Sequence, residues 1–167
     1  TGTASSVVNG SASGLYAAPF LSSGNGAAFG NADGVDTTNY LTTGIGTVIL
    51  DLPDHQQYMG LLWGSVDDYN TIEFYDGVTL LQSFTGLDVN AAADGDQGAS
   101  GTYYVNINSD QGFDRVVFSS SNYAFEFDNL AFNDAPVPPG PNEVPAPASL
   151  ALLGLGLAGL GFARRRK

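Results

Sequence analysis

The clearest alternation of apolar and polar positions runs from Asn70 to Phe84. Ile72 and Phe74 fall on one face of an extended chain and Glu73 falls on the other. Asp76-Gly77 is a two-residue turn signal of the kind that matches the twist of paired strands. The pattern predicts a β-hairpin in the middle of the chain.

Six further apolar runs, separated by turn residues, predict short strands. They lie at Leu15 to Phe20, Thr47 to Leu52, Tyr58 to Ser65, Thr102 to Ile107, Arg115 to Ser119 and Tyr123 to Phe132. Pro53 is expected to end the second of these, because proline cannot donate to a sheet. Between the hairpin and Thr102 we expect a long polar loop. Short strands at this spacing are typical of an all-β, antiparallel β-sandwich, here jelly-roll-like, over residues 1–132.

The C-terminal pattern is different. Residues 133–143 are Pro-dense and predict an extended linker. From Ala146 to Phe162 no side chain is charged, and the run spans roughly 26 Å as a helix. We therefore predict one hydrophobic transmembrane helix at about 148–163. The alternative, an amphipathic core helix, would need a polar face that the run lacks.

Basic residues follow this apolar run directly. Arg164, Arg165, Arg166 and Lys167 are expected to act as a membrane stop on the cytoplasmic side. Within the run, Gly154 and Ala158 form a small-xxx-small pair, which favours close packing of helices in lipid. This topology places the rest of the chain outside, so the protein is expected to be exported.

The C-terminal region resembles the PEP-CTERM proteins, whose tag combines a Val-Pro-x-Pro motif, an apolar helix and an Arg cluster. The motif here is Val144-Pro145-Ala146-Pro147, with Ala146 where the family has Glu. The resemblance implies recognition by an exosortase, a membrane-embedded Cys protease-transpeptidase, at the cell surface of a Gram-negative-type bacterium. Either the tail is cut near the motif, or the helix remains as an anchor.

Two other stretches resemble ectodomains that accompany this tag. Residues 60–77 contain a Trp-Gly-Ser-x-Asp-x-Tyr-Asn stretch, and residues 124–132 contain Phe-Glu-x-Asp-Asn. The chain is also similar to jelly-roll carbohydrate-binding modules, whose last strand often carries an Asp that ligates a structural calcium. This second resemblance concerns the fold, and fold alone does not imply function.

Charge is distributed unevenly along the chain. The sequence has five Lys and Arg against seventeen Asp and Glu, with no cysteine. Four of the five bases lie in the terminal tetrad, so Arg115 is the only base before it. Such a surface repels nucleic acid and suits cations or a secreted matrix, and nucleic acid is excluded as a partner.

Calcium is the cofactor that this acidity favours, because hard cations take oxygen ligands. The candidate ligands are Asp128, Asn129, Asp33 and Asp36, and Asp128 is favoured because an acid in an apolar final strand must be paired, hydrated or metal-bound. Other acidic groups are Asp67 with Asp68 and Asn70, and Asp94 with Asp96. The alternative is that these residues form turns and solubilise the surface.

Little in the sequence favours catalysis. His55, the single histidine, follows Pro53-Asp54 and is expected in a surface turn. No nucleophile motif accompanies it, so we expect no enzyme, although the separations of paired carboxylates for glycoside hydrolysis cannot be read from a sequence.

Aromatic residues leave two interpretations open. A set of tyrosines forms either a sugar-stacking platform or cross-strand packing, whereas Trp63, in an apolar run, is expected to be buried. Tyr103 and Tyr104 are expected to point to opposite faces of their strand.

The expected function is that of an exosortase-sorted surface or extracellular-matrix protein, structural or adhesive, associated with biofilm or exopolysaccharide. The alternatives are a glycan-binding surface module and a self-assembling filament or sheath subunit built through edge strands or the Gly-lined helix. The expected partners are exosortase, the membrane, and a polysaccharide or further copies of the chain.

Overall fold

The computed structural model describes residues 5–21, 34–98 and 100–138, without the Leu21 side chain. These residues form nine strands and one short helix. The strands are β1 (Ser5–Val8), β2 (Phe20–Leu21), β3 (Gly34–Val35), β4 (Tyr40–Thr43), β5 (Gly46–Gly64), β6 (Asn70–Asp76), β7 (Thr79–Thr85), β8 (Tyr103–Ser120) and β9 (Phe125–Asn133), and the helix is α1 (Gly86–Val89).

Seven strands form one antiparallel sheet in the order β1-β4-β9-β5-β8-β6-β7, and β2 pairs with β3. Every strand pair is antiparallel. The predicted hairpin is β6 and β7, joined by Gly77 and Val78. The prediction of an all-β, antiparallel fold is confirmed.

Two long strands organise the sheet, and here the predicted boundaries were wrong. The strands expected on either side of Pro53 are one strand, β5, and those expected at 102–107 and 115–119 are one strand, β8. The register between β5 and β8 shifts between Asp51 and Gln56. Pro53 lies in this shifted stretch, outside the regular pairing, so its missing N–H does not end the strand.

The core lies between the inner faces of the two halves of this sheet. Phe118 pairs with Val48 in the first half of β5, whereas Phe127 pairs with Trp63 in the second half. The rings of Phe118 and Phe127 nevertheless stack with centroids 4.4 Å apart. What was expected as a sandwich is therefore one hydrogen-bonded sheet, bent across β5 and β8, whose two halves pack against each other.

Two local predictions were also wrong. Leu15 to Phe20 is not a strand, because Ala12 and Tyr16 form an isolated bridge around a turn and β2 begins only at Phe20. The expected loop after the hairpin begins with α1, where Asp88 accepts hydrogen bonds from the Thr85 amide and hydroxyl at 2.7 and 3.0 Å.

The chain divides into two compact units, Thr1–Pro136 and Val137–Lys167. The predicted hydrophobic helix and residues 139–143 of the predicted linker fall outside the described residues, so the helix and the linker stay predictions, as does the boundary at 132. Within the described part of the chain, no helix has the length and apolar character to span a bilayer.

Candidate functional site

A buried acid, Glu126, lies on β9 between two core aromatics. Alternation along the strand sends Phe125 and Phe127 into the core and Glu126 to the opposite face. Glu126 pairs with Gly64 of β5 and Thr42 of β4. Its side chain is nevertheless only 2% exposed, so another part of the chain must cover this face of the sheet.

The cover is the segment Asn9–Pro19. The Ala17 amide donates to Glu126 Oε1 at 2.8 Å, and the Tyr40 hydroxyl donates to the Gly10 carbonyl at 2.5 Å. Pro19 lies directly over Gly64, where an added Cβ would meet the proline ring at 3.0 Å. A glycine at position 64 therefore lets the segment approach the sheet closely.

A cavity of about 550 Å³ lies between this segment and the sheet. Three acids and three tyrosines face it. They are Asp67, Asp94 and Glu126, and Tyr16, Tyr69 and Tyr123. We call this space the acidic cavity. No Lys, Arg or His is among the described residues that line it.

Two polar atoms of the acidic cavity lack hydrogen-bond partners among the described residues. They are Oε2 of Glu126 and Oγ of Ser65, both on buried side chains. Ser65 has a φ of 45°, a left-handed conformation that is strained for a residue other than glycine. Unsatisfied buried polar atoms are costly, so this cavity offers two acceptors that a ligand can satisfy.

Burial and, to a smaller extent, the negative charge of Asp67 raise the pKa of Glu126 to about 7, although the amides of Ala17 and of Glu126 itself act in the opposite direction. Burial also raises the pKa of Asp67; the neighbouring Tyr69 hydroxyl lowers it, and the charges of Asp68 and Asp94 raise it. Both shifts have the same main cause, since the cavity holds these acids away from water and its described lining contains no base.

Asp67 is held in place by contacts with the segment around Asp94 and with α1. Its backbone forms a bridge with Asp94, and the Gly95 amide donates to the Val66 carbonyl at 3.1 Å. Gly86 of α1 lies so close that an added Cβ would overlap the Asp67 carbonyl. The helix therefore packs directly behind a cavity residue.

The two stretches that resemble tag-associated ectodomains meet at this cavity. The Tyr69 hydroxyl donates to the Tyr123 carbonyl at 2.7 Å. The fully buried Asn70 donates to the Ala124 carbonyl at 3.2 Å and accepts from the Ser120 hydroxyl at 2.8 Å. These bonds hold the start of β6 against the loop before β9.

The predicted calcium ligands lie elsewhere on β9 and beside it. Asp36 is buried, and its Oδ1 accepts from the Thr38 amide and hydroxyl, both at 2.7 Å. The pKa of Asp128 is raised mainly by burial, against the Asn129 amide, and further by the charge of Asp36. The structure thus brings Asp36, Asp128 and Asn129 into one neighbourhood, while Asp33 lies outside the described residues.

A third group contains the histidine. His55 lies on β5 and not in a turn, so that prediction was wrong, although its side chain is exposed as expected. Its Nε2 is 3.1 Å from Asp76 Oδ1, and this bond raises the pKa of His55. Together with Asp114 these residues offer three ligand atoms within 4.8 Å, the one such group of His, Asp and Glu in the described ranges. Asp114 already accepts from the Gly77 amide at 2.8 Å.

The structure places the aromatic residues in different environments. Trp63 is fully buried and stacks on Phe125 with centroids 4.6 Å apart, which confirms its expected burial. Tyr103 packs against the core, whereas Tyr104 stands over Gly60 on the other face, as alternation predicts. Tyr123 is 48% exposed at the rim of the acidic cavity.

The sequence of the C-terminal region matches a known family. A family model described as the PEP-CTERM protein-sorting motif matches residues 143–167. The chain carries a PEP-CTERM protein-sorting motif. The motif implies exosortase-dependent export and sorting to the cell surface, with transient membrane anchoring and exosortase as a partner. No curated protein and no solved structure matches the chain.

All residues predicted for sorting in this PEP-CTERM protein lie inside the matched segment and outside the described residues. They are Val144, Pro145, Ala146 and Pro147, the pair Gly154 and Ala158, and the tetrad Arg164, Arg165, Arg166 and Lys167. Their individual roles stay predictions.

The sequence interpretation missed Glu126 as a site residue. The argument that an acid in an apolar final strand needs a partner was applied to Asp128, which is only half-buried, and it holds more strongly for Glu126. The available signal was the Phe-Glu-Phe alternation, which places Glu126 opposite two core rings.

Proposed function

We propose that the β-domain of this PEP-CTERM protein is a glycan-binding module that exosortase-dependent sorting displays at the cell surface. The observation that supports this proposal is the acidic cavity, with its volume of about 550 Å³, its unpartnered acceptors and its three tyrosines. Small-molecule sites typically have volumes of roughly 300–1,000 Å³ and a few convergent polar groups.

The chemistry of the lining suits a sugar. Hydroxyl groups of a glycan donate hydrogen bonds, and Glu126 Oε2, Ser65 Oγ and the Asp67 carboxylate accept them. The apolar face of a pyranose ring packs on aromatic side chains, and Tyr123 stands exposed at the rim for such a contact.

A direct metal site explains the cavity less well. Asp67, Asp94 and Glu126 are not among the described groups that offer three ligand atoms within 4.8 Å of one another. A ligand that spans several acceptors fits their separation better than one ion does. A calcium at Asp36, Asp128 and Asn129 would then have a structural role, and this stays a prediction.

An adhesive role follows from the proposal when the bound glycan belongs to the extracellular matrix. The filament alternative and the Gram-negative cell type have no support among the described residues and stay predictions.

Binding is tested with the full chain, purified in detergent, on an array of bacterial polysaccharides. Asp67→Asn and Tyr123→Ala are expected to lower the affinity for a captured glycan by roughly tenfold or more, because the first removes a charged acceptor and the second removes the exposed ring at the rim. Asp68→Asn is the matched control, because Asp68 is exposed and does not line the cavity. Equal binding by all variants, or no captured glycan, would contradict the proposal.

The same experiment separates binding from hydrolysis. A carboxyl group with a pKa of about 7 beside a second acid is also the arrangement that glycosidases use. We propose that the protein has no catalytic activity of its own, so mass spectrometry should find the captured glycan intact after prolonged incubation. Shortened fragments that disappear with Glu126→Gln would identify a hydrolase.

A further inference from the structure

We infer that the acidic cavity binds a cationic sugar chain, one whose hexosamine units carry free, protonated amino groups, in preference to a neutral glycan. This inference rests on the proposed function and names the ligand class of the same site. It depends on the charge of the lining, on one buried carboxylate oxygen and on the arrangement of the acids.

All charged side chains in the described lining of the cavity are acidic. Asp67, Asp94 and Glu126 face the cavity, and the described lining contains no base. Arg115, the only base before the terminal tetrad, pairs with Asp51, with Nε 2.6 Å from Oδ1. No described residue therefore supplies a counter-charge to these three acids, and a cation from the ligand would lower their mutual repulsion.

One buried oxygen atom, Glu126 Oε2, lacks a hydrogen-bond donor among the described residues. Glu126 is 2% exposed; its Oε1 accepts from the Ala17 amide, and its Oε2 has no partner among the described residues. An ionised carboxylate in such a position is stable only when it is paired and hydrogen-bonded. A protonated amine supplies both the charge and up to three N–H donors.

The acids lie at different depths, which favours a chain over a single cation. Glu126 is at the buried end of the cavity, whereas Asp94 is exposed. Tyr69 and Tyr123 line the space between the sheet and the solvent. A sugar chain with an amine on each ring would place cations beside successive acids and its ring faces against tyrosines, where cation–π attraction adds to stacking.

The probes are three hexasaccharides of equal linkage, namely β-1,4-glucosamine, its N-acetylated form and the neutral glucose oligomer. They are titrated calorimetrically into the full chain in detergent at pH 6, where the amines are protonated and where Glu126 gives up its proton to the buffer as an amine pairs with it. We expect the glucosamine oligomer to bind at least tenfold more tightly than the other two. Its affinity should fall as salt is raised, because ion pairs are screened.

Three variants test which acids bind the glucosamine oligomer. Glu126→Gln keeps the shape of the side chain and should weaken binding of the glucosamine oligomer about tenfold, while Asp94→Asn tests the exposed end independently of the buried acid. Asp68→Asn removes an exposed charge next to Asp67 and should change the affinity less than twofold. Thermal unfolding of each variant verifies that it is folded.

Each outcome decides between the alternatives. Equal binding of the neutral oligomer would overturn the inference and leave the proposed function standing, whereas no binding of any oligomer would overturn both. Equal losses with Asp68→Asn and Glu126→Gln would indicate adsorption to surface charge and overturn the inference. Binding of calcium alone that Glu126→Gln abolishes, and that displaces the oligomer, would make the cavity a metal site and overturn it as well.

Discussion

Glu126 combines a nearly complete loss of solvent contact with a position among other acids. A carboxyl group in such surroundings holds its proton to a higher pH, because burial penalises the charged form. Its pKa of about 7 in the folded protein compares with an ordinary value of 4.5. Stability and ligand binding at this residue are therefore both linked to pH.

The first prediction concerns the free energy of unfolding. Between pH 4.5 and about 7 the unfolded chain releases a proton that folded Glu126 retains, so stability should fall as pH rises through this window. The loss attributable to this group is about 3 kcal/mol as an order of magnitude. Glu126→Gln should remove most of this dependence, as measured by urea unfolding at pH 5, 6, 7 and 8.

A charge control accompanies this measurement. Asp110→Asn removes an exposed acid from β8 and should leave the slope of stability against pH nearly unchanged. Parallel slopes for wild type and Glu126→Gln would show that Glu126 is ionised in the folded state throughout the range, contrary to this prediction.

The difference between Glu126 and Asp128 could be predicted only in part from the sequence. The rule that an acid in an apolar strand needs a partner is sound, but it does not say which of Glu126 and Asp128 is the more deeply buried. That depends on what covers the strand. Segment 9–19 covers Glu126, whereas Asp128 stays half-buried.

At the scale of elements, the hairpin of β6 and β7 was predicted from local pattern alone. Alternation and the Gly-containing turn are properties of adjacent residues, so they survive any tertiary arrangement. In contrast, β5 continues through Pro53 because the sheet bends there and its pairing shifts, which no local pattern indicates.

The second prediction concerns the hairpin turn. Gly77 has a φ of 58°, and Val78 beside it is 92% exposed. Gly77→Ala should destabilise the fold by about 1 kcal/mol, because an L side chain is strained in this conformation. Val78→Ala in the same turn should change stability by less than about 0.5 kcal/mol. Chemical denaturation compares the two, and equal effects would contradict a role for the backbone conformation.

The third prediction concerns α1. Gly86 packs so closely on the Asp67 carbonyl that Gly86→Ala must move the helix or the cavity wall. We expect a loss of about 1–3 kcal/mol in stability, as for overpacking of a core, together with weaker glycan binding. Leu87→Ala, an exposed position on the same helix, is the control. Wild-type stability in Gly86→Ala would show that the helix can shift at no cost.

At the scale of the whole molecule, the chain joins an acidic β-domain to a sorting signal that carries four of its five bases. This separation suits the proposed function, since the domain can face an extracellular ligand while the tail is read by exosortase. The acidity of this domain is also the property that would make a cationic glycan a favourable ligand.

The fourth prediction concerns processing of the tail. The intact mass of protein recovered from the native cell surface should correspond to a chain that ends near residues 144–147, with or without an added group. Ala146→Glu, which restores the residue that the family has at this position, should raise the processed fraction, and Pro136→Ala in the preceding segment should not. Surface protein that still contains the hydrophobic segment and the tetrad Arg164, Arg165, Arg166 and Lys167 would instead indicate an uncut anchor.

The sequence by itself determined the sorting signal, the all-β class, the hairpin and the burial of Trp63. Each of these features depends on neighbouring residues or on composition, and neither changes with the tertiary fold. Only the tertiary structure decided the site. The Ala17 amide and the Glu126 carboxylate are 109 residues apart, and Asp67 reaches Asp94 across β6, β7 and α1. Burial and charge at such a site are set by contacts between distant segments, so no local pattern contains them.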